Sequence, residues 1–544
     1  MDRVRLNLID LETLNQKRPG GGGASLKRTT LDLVLLLASG FALALAFPPH
    51  SWWLLSFPAV GALIKVVGGV SPGRGAAYSA IWMMAFMLPL ISWTQVATGD
   101  TYIAWFALAG AEAAFAAFWG AAFAATKVWK FARTIFGEAA VAALLWVAVE
   151  ELRSRYPYGG FPWGRLAHPQ VDSPLVAFAP LGGEVLVSAV VVFVSVLLMR
   201  SLTIPPRTSD LGSGFVFSRA AATFTALAIL IGSSTYSLPT APQTGSLRVA
   251  VIQGNVEVPM YETFNTPRKV TGNHARVTWE MLEAGNEVDL IVWGENAADI
   301  DPREDPETAL LIDEVVTEAG VPAMLGIMEY EENTRYNWLA IWNPNDGLLD
   351  AMYGKQHPVP WGEYIPMRSI TEILATAAAQ VGVDMSPVDN PALLTVALSD
   401  GRRVPLVVGI CFEVAYEQLL LEGILLGGEA ITIPTNNAHF QNSAESVQQL
   451  QMGQFRAAEF SRAMIQASTN GVSAVVSPDG KITQVTGTQE ADYLVADIPL
   501  RSAITPFAHV GSWMPTAVMV IGSLMGIWAL VAHRRDAKGR RAND

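Results

Sequence analysis

Charge is scarce in this chain, and cysteine is nearly missing. Of 544 residues, 16% are Asp, Glu, Lys or Arg, against about 25% in an average soluble domain. Hydrophobic residues make up 51%, and mean hydropathy is +0.31. That balance excludes a disordered chain and an ordinary soluble enzyme. The single cysteine, Cys411, excludes an intrachain disulfide and any multi-cysteine metal site. A basic surplus is lacking too: 36 Lys and Arg against 49 Asp and Glu leave a net charge of −13. Nothing there suggests a nucleic-acid partner.

The charge that is present is unevenly placed. Residues 241–512 hold 14 basic and 35 acidic residues, a balance of −21, and the remainder carries +8. Apolar stretches of spanning length fall at about 30–47, 53–70, 76–95, 103–125, 136–152, 182–200, 217–234 and 513–532. They predict a polytopic α-helical membrane bundle of about eight spans around a water-facing acidic block. Lys and Arg cluster before the first stretch, at Arg74, at Lys127, Lys130 and Arg133, at Arg200 and Arg207, and in the tail from Arg534 to Arg541. By the positive-inside rule both termini face the cytoplasm, and the acidic block lies outside it. The expected divisions are a disordered basic tail, 1–28; a seven-span bundle, 29–240; a catalytic domain, 241–510; a last transmembrane helix, 511–533; and a basic cytoplasmic tail, 534–544. One connection is long, from Arg153 to Pro174, and contains GFPWG. Its aromatics suit an interfacial belt. Alternatively it is a lid or lipid contact, with Trp163, Arg165 and His168 as candidates.

Inside the acidic block, short apolar runs alternate with amphipathic ones. LRVAVIQ, DLIVW, AMLGIM, NWLAIW, LTVAL, VPLVVGI, AITIP, SAVVS and YLVAD predict strands. Segments near 266–284, 306–319, 415–426 and 446–467 predict helices, and the mixture predicts a layered α/β domain. Arg456, Glu459 and Arg462 fall on the last of these helices as an ion-pair row.

Three strand ends carry chemistry. DLIVW runs into Glu295, LLDAMYGK ends on Lys355, and VPLVVGI runs into Cys411. Singly, each has a bland reading as a buried thiol or a solvated strand end. Together they meet the needs of nucleophilic acyl transfer: a thiol, a carboxylate to take its proton, and an ammonium to hold an oxyanion.

The order Glu295, Lys355, Cys411, within WGENA, YGKQHPVPWGEYIP and VGICFE, resembles the Glu-Lys-Cys triad of the nitrilase superfamily. With a preceding multi-span bundle, a final transmembrane helix, GFPWG, QGN, TNNAHF and STNGVS, the chain resembles the bacterial apolipoprotein N-acyltransferases. The resemblance implies an extracytoplasmic α-β-β-α sandwich in the inner membrane, with no metal and no cofactor. It implies that Cys411 takes an acyl chain from a phospholipid as a thioester. The chain then passes to the α-amino group of an S-diacylglyceryl cysteine on an apolipoprotein, the last step of lipoprotein maturation. Glu295 is then the base, and Lys355 the oxyanion donor together with the Phe412 N–H. Glu363 and Glu413 are supporting acids, although Glu413 also reads as a carboxylate satisfying helix N-terminal amides. Trp361, Tyr364, Met367, His439, Phe440, Tyr261 and Trp163 are the candidate lipid contacts. His439 stands where the family tends to have Trp, and Tyr261 offers the aromatic expected after QGN. A monomer is expected. The alternative is a membrane-tethered amidase that uses water as acceptor.

Overall fold

A computed structural model describes residues 21–98, 102–202, 213–256, 266–368 and 381–543. Tyr261 and residues 1–20 lie outside them. Each apolar stretch forms a helix: α1 (Gly21–Ala44), α2 (Ser56–Val67), α3 (Pro72–Leu90), short α4 (Trp93–Ala97), α5 (Tyr102–Ala125), α6 (Ile135–Arg153), α7 (Ala179–Leu202) and α8 (Ser213–Ser234). α1 begins inside the segment expected to be a disordered tail, so residues 21–28 are helical.

Among the described residues, four helical segments are long and apolar enough to cross a membrane: Tyr102–Val128, Pro174–Leu202, Val216–Ser234 and Met514–Arg540. That is fewer than the expected eight. α2 has only 12 residues, about 18 Å of helix against a hydrocarbon core near 30 Å. α6 carries Glu138, Glu150, Glu151 and Arg153. Large apolar side chains such as Phe217, Phe224, Ile521 and Leu524 point outward from the long helices, a surface suited to lipid and not to water.

The acidic block folds as two six-stranded sheets. The first has the order β12 (Asp492–Leu500), β1 (Gly245–Gln253), β2 (Leu290–Trp293), β3 (Ala323–Tyr330), β4 (Arg335–Asn343), β5 (Gly347–Gly354). The second has β11 (Ile482–Val485), β10 (Ala474–Val476), β9 (Met464–Ser468), β8 (Ala430–Thr435), β7 (Arg403–Val408), β6 (Leu393–Ala397). Alternation along β1 sets the layers. Ala250 and Ile252 pack with α9 (Lys269–Glu283) and α10 (Pro306–Ala319). Val249 and Val251 face the core shared with Val407 and Ile465 of the second sheet. The second sheet is covered by α11 (Glu417–Leu425) and α12 (Glu445–Phe460). The result is an α-β-β-α sandwich. It is followed by short α13 (Pro506–Val510) and by α14 (Met514–Asn543), which returns to the bundle beside α5 and α6.

All nine expected strands form. The helix expected over 446–467 does not run that far. It stops at Phe460, Ser461 turns left-handed (φ 53°), and Met464–Ser468 becomes the buried strand β9. Arg462 is therefore off the helix and binds the carbonyls of Gly428 and Ala503.

α12 is the joint between domain and bundle. Gln448 accepts from the indoles of Trp93 (3.2 Å) and Trp163 (2.7 Å), and donates to the carbonyls of Pro48 and Leu90. Arg456 pairs with Glu459 (2.6 Å) and with Glu184 of α7 (2.9 Å). Glu184 also meets His168 and Arg165, and Arg165 pairs with Glu151. Gly183 (φ 60°) lets α7 kink there; a Cβ would come within 2.7 Å of the Glu459 carboxylate. These are buried, mutually paired charges.

Candidate active site

The three strand ends converge. β2 buries all four of its residues and delivers Gly294-Glu295. Gly294 lets the two sheets approach closely, since a Cβ there would sit 2.5 Å from the Thr469 hydroxyl. Thr469 in turn donates to the Glu295 carbonyl at 2.7 Å. The Glu295 carboxylate is buried and held from three sides. Oε1 accepts from Asn337 Nδ2 (2.6 Å) and Lys355 Nζ (3.1 Å), and Oε2 accepts from the Asn436 N–H (2.8 Å).

Lys355, just past β5, is also buried, and its Nζ donates to Glu363 Oε1 at 2.6 Å. Burial opposes its charge, but Glu295, Glu363 and Cys411 outweigh that and hold its pKa well above the usual lysine value. The ammonium is thus permanent. Glu363 is itself fixed, accepting the Val359 N–H at 2.7 Å.

Cys411 follows β7 at φ 57°, a left-handed conformation rare for a residue with a side chain, and opens the short 3-10 turn Cys411–Ala415. The sharp turn lifts the thiol off the strand line. Burial and the Glu295 charge push the thiol pKa well above its ordinary value, while Lys355 and a hydrogen bond with Thr435 pull the other way. At rest Cys411 is therefore a thiol.

Glu413 does not face this space. Its Oε2 accepts from the Ile410 N–H (2.7 Å) and Tyr353 OH (2.9 Å), and its Oε1 from the N–H groups of Gln356 (2.7 Å) and His357 (2.9 Å). Four donors occupy it, and they tie the cysteine turn to the lysine loop. Phe412 stacks on Trp163 at 5.2 Å and 18°, so the residue beside Cys411 rests on the GFPWG loop. Trp163, expected at a lipid contact, is buried there and bonded to Gln448. Trp361 (45% exposed, φ 68°) and Met367 (55% exposed, φ 50°) stand out from the lysine loop, while Tyr364 is half-buried. Phe440 packs edge-on to Trp93 at 5.4 Å. His439 has an exposed edge, yet burial of most of the ring, and then Arg335, push its pKa down.

Sequence reasoning missed a polar layer beneath the thiol. Asn437 donates to Glu445 Oε2 (2.7 Å) and Gln449 Oε1 (3.0 Å), and Gln449 donates to Thr435 (2.9 Å). Glu445 is buried without a cation among the described residues. Burial, reinforced by Glu295 and opposed by the Asn437 hydrogen bond, raises its pKa to about 8. An acid at the first turn of α12 reads as a helix N-terminal carboxylate, so the sequence carried no sign of this role.

Known proteins match on both parts of the chain. Residues 39–197 match the model of the apolipoprotein N-acyltransferase N-terminal domain, and 248–505 that of carbon-nitrogen hydrolases. An apolipoprotein N-acyltransferase of Mycolicibacterium smegmatis is 30% identical over 533 residues, covering 92% of this chain and 85% of that protein. The chain belongs to the apolipoprotein N-acyltransferase family. The member from Azotobacter vinelandii is 28% identical, covering 92% of this chain and 95% of its own length. A mutant of the Nesterenkonia AN1 amidase from the nitrilase superfamily, a solved structure, is 15% identical with a TM-score of 0.37, covering 50% of this chain and 96% of that one. Family membership, the apolar outward-facing helices and the sandwich agree on a membrane-associated acyltransferase.

Proposed function

We propose that the chain N-acylates apolipoproteins through a Cys411 thioester, with a membrane phospholipid as donor. The observation that carries the proposal is the buried Glu295–Lys355 pair beside a strained, solitary cysteine, in a chain of this family. Glu295 takes the thiol proton as Sγ attacks an ester carbonyl. The tetrahedral oxyanion is held by Lys355 and the Phe412 N–H. Collapse expels the lysophospholipid alcohol, which takes the proton back from Glu295. The α-amine of an S-diacylglyceryl cysteine then attacks the thioester, gives its proton to Glu295, and displaces the thiolate, which is reprotonated. Glu363 holds Lys355 in place, and Glu413 fixes the loops.

Chain access belongs to the same proposal. Drawing an acyl chain into water costs about 0.8 kcal/mol per CH₂, so the thiol must be reached from the bilayer. Exposed Trp361 and Met367, with Tyr364 and the His439-Phe440 pair, form an apolar entrance under this reading. Tyr261 is a further candidate. The proposed topology has eight crossings, both termini cytoplasmic, the sandwich outside the cytoplasm, and a monomer as the working unit.

Intact-mass analysis of the full chain in phospholipid–detergent micelles tests the chemistry. An acyl adduct on Cys411 is expected, absent in Cys411→Ala and nearly absent in Glu295→Gln and Lys355→Ala, where losses of about 10²–10⁴ in rate are typical. An adduct that persists in Cys411→Ala refutes it. Free fatty acid without acylated lipopeptide would favour the water-accepting amidase.

A further inference from the structure

One cation beside the triad is unaccounted for. β4 places Asn337 against Glu295. Arg335 is two residues earlier on the same strand, hence on the same face and about 6–7 Å further along it. The strand is pinned there on both sides, by Tyr330 of β3 and by a bridge to Met385. One guanidinium nitrogen, Nη2, donates to the Glu363 carbonyl at 3.3 Å. The Nε–H is buried and has no acceptor. Among the described residues Arg335 forms no ion pair. The adjacent carboxylate, Asp384, is taken by Arg368 and the Ile365 N–H. The charge of Arg335 also acts on His439, where it helps to lower the ring's pKa. Arg335 therefore stands against the lysine loop, one rim of the proposed entrance.

A buried guanidinium N–H without an acceptor costs stability and is matched by an anionic oxygen. From these positions we infer that Arg335 binds the phosphate of the acyl donor. The inference rests on the phospholipid reading above and adds a selection rule to it. In a glycerophospholipid the phosphate hangs a short glycerol span from the ester carbonyls, so a carbonyl at Cys411 brings the phosphate toward the entrance rim. The acceptor also carries ester-linked chains on glycerol, but it has no phosphate and presents an amine. One fixed cation thus favours the donor in the first half-reaction and disfavours a protonated amine in the second.

Two lipids with identical chains test this in the full chain: dioleoylphosphatidylglycerol and dioleoylglycerol, each in detergent micelles, with Cys411 acylation followed by intact mass. The wild type is expected to prefer the phospholipid by about 10- to 100-fold, the range of a charge-assisted hydrogen bond. Arg335→Gln should bring that ratio near one, and Arg335→Lys should restore part of it. A variant that merely loosens the fold lowers both rates and keeps the ratio, which would overturn the inference; so would an unchanged ratio with unchanged rates. Inorganic phosphate separates the two sources of the anion. Competition seen in the wild type and lost in Arg335→Gln supports a site for phosphate itself; a lost ratio without competition supports a lipid-tethered phosphate. No adduct from either lipid in the wild type would refute the donor reading, whatever Arg335 does.

Discussion

Replacing Glu445 by Gln should flatten the dependence of stability on pH. Glu445 is a buried acid whose carboxyl accepts from Asn437 and lies in the field of Glu295. Its pKa stands at about 8, from an ordinary 4.5. A folded value above the unfolded one means that folding is favoured while the group is protonated. The contribution is intact below about 4.5 and is lost as pH rises towards 8. Each pH unit crossed removes about 1.4 kcal/mol, roughly 4–5 kcal/mol over the interval. Gln keeps the acceptor for Asn437 and carries no proton to lose. The apparent melting temperature of the full chain in micelles, followed from pH 5 to 9 for both proteins, reads this directly. The wild-type curve should fall with pH relative to the variant, with the gap widest at pH 8 and above. Parallel curves would refute the reasoning. They would mean that Glu445 is either ionised throughout or solvated on its buried side.

Glu413→Gln turns an NH2 toward either the Ile410 N–H and Tyr353 hydroxyl or the N–H groups of Gln356 and His357, and should cost about 1–3 kcal/mol in a denaturation series; Glu413→Ala strands four donors and should fail to fold. An alanine variant as stable as wild type would show that water replaces the carboxylate. Trp163→Ala removes the surface under Phe412 and the Gln448 bond, and should cost about 3–5 kcal/mol while slowing Cys411 acylation; full stability would mean that the joint relaxes around the gap. Reporters fused after Ser234 and after Arg535 should report opposite compartments, and the same compartment for both would refute the proposed crossings.

The strand ends at Glu295, Lys355 and Cys411 were legible because each closes a short strand, a pattern visible in one dimension. DLIVW, AMYGK and VPLVVGI state both the burial of a strand and what it delivers. The layer beneath was not legible. Asn437, Glu445 and Gln449 are ordinary polar residues in a turn and a helix, and only the crossing of β8 with α12 turns them into a network. β9 was hidden for a different reason: no glycine or proline marks the end of α12, and Ser461 makes the turn itself. Arg456 was legible as the partner of Glu459, but its pairing with Glu184 was not, because the bundle that covers it lies hundreds of residues earlier in the chain. The count of crossings rested on apolar length alone, and α2 and α6 show its limit: one is short, and the other is acidic on its buried side.

The joint at α12 bears on how such a protein can change over generations. Gln448 answers to four groups of the helical part, and Arg456 to Glu184 of α7. A sandwich domain borrowed from a free-standing relative would arrive without those partners and leave Trp93, Trp163 and Glu184 exposed to a foreign surface. Exchange between lineages should therefore move both halves together, and substitutions at position 448 should track those at 93 and 163. The two halves are inherited as one part, even though each is recognisable by itself.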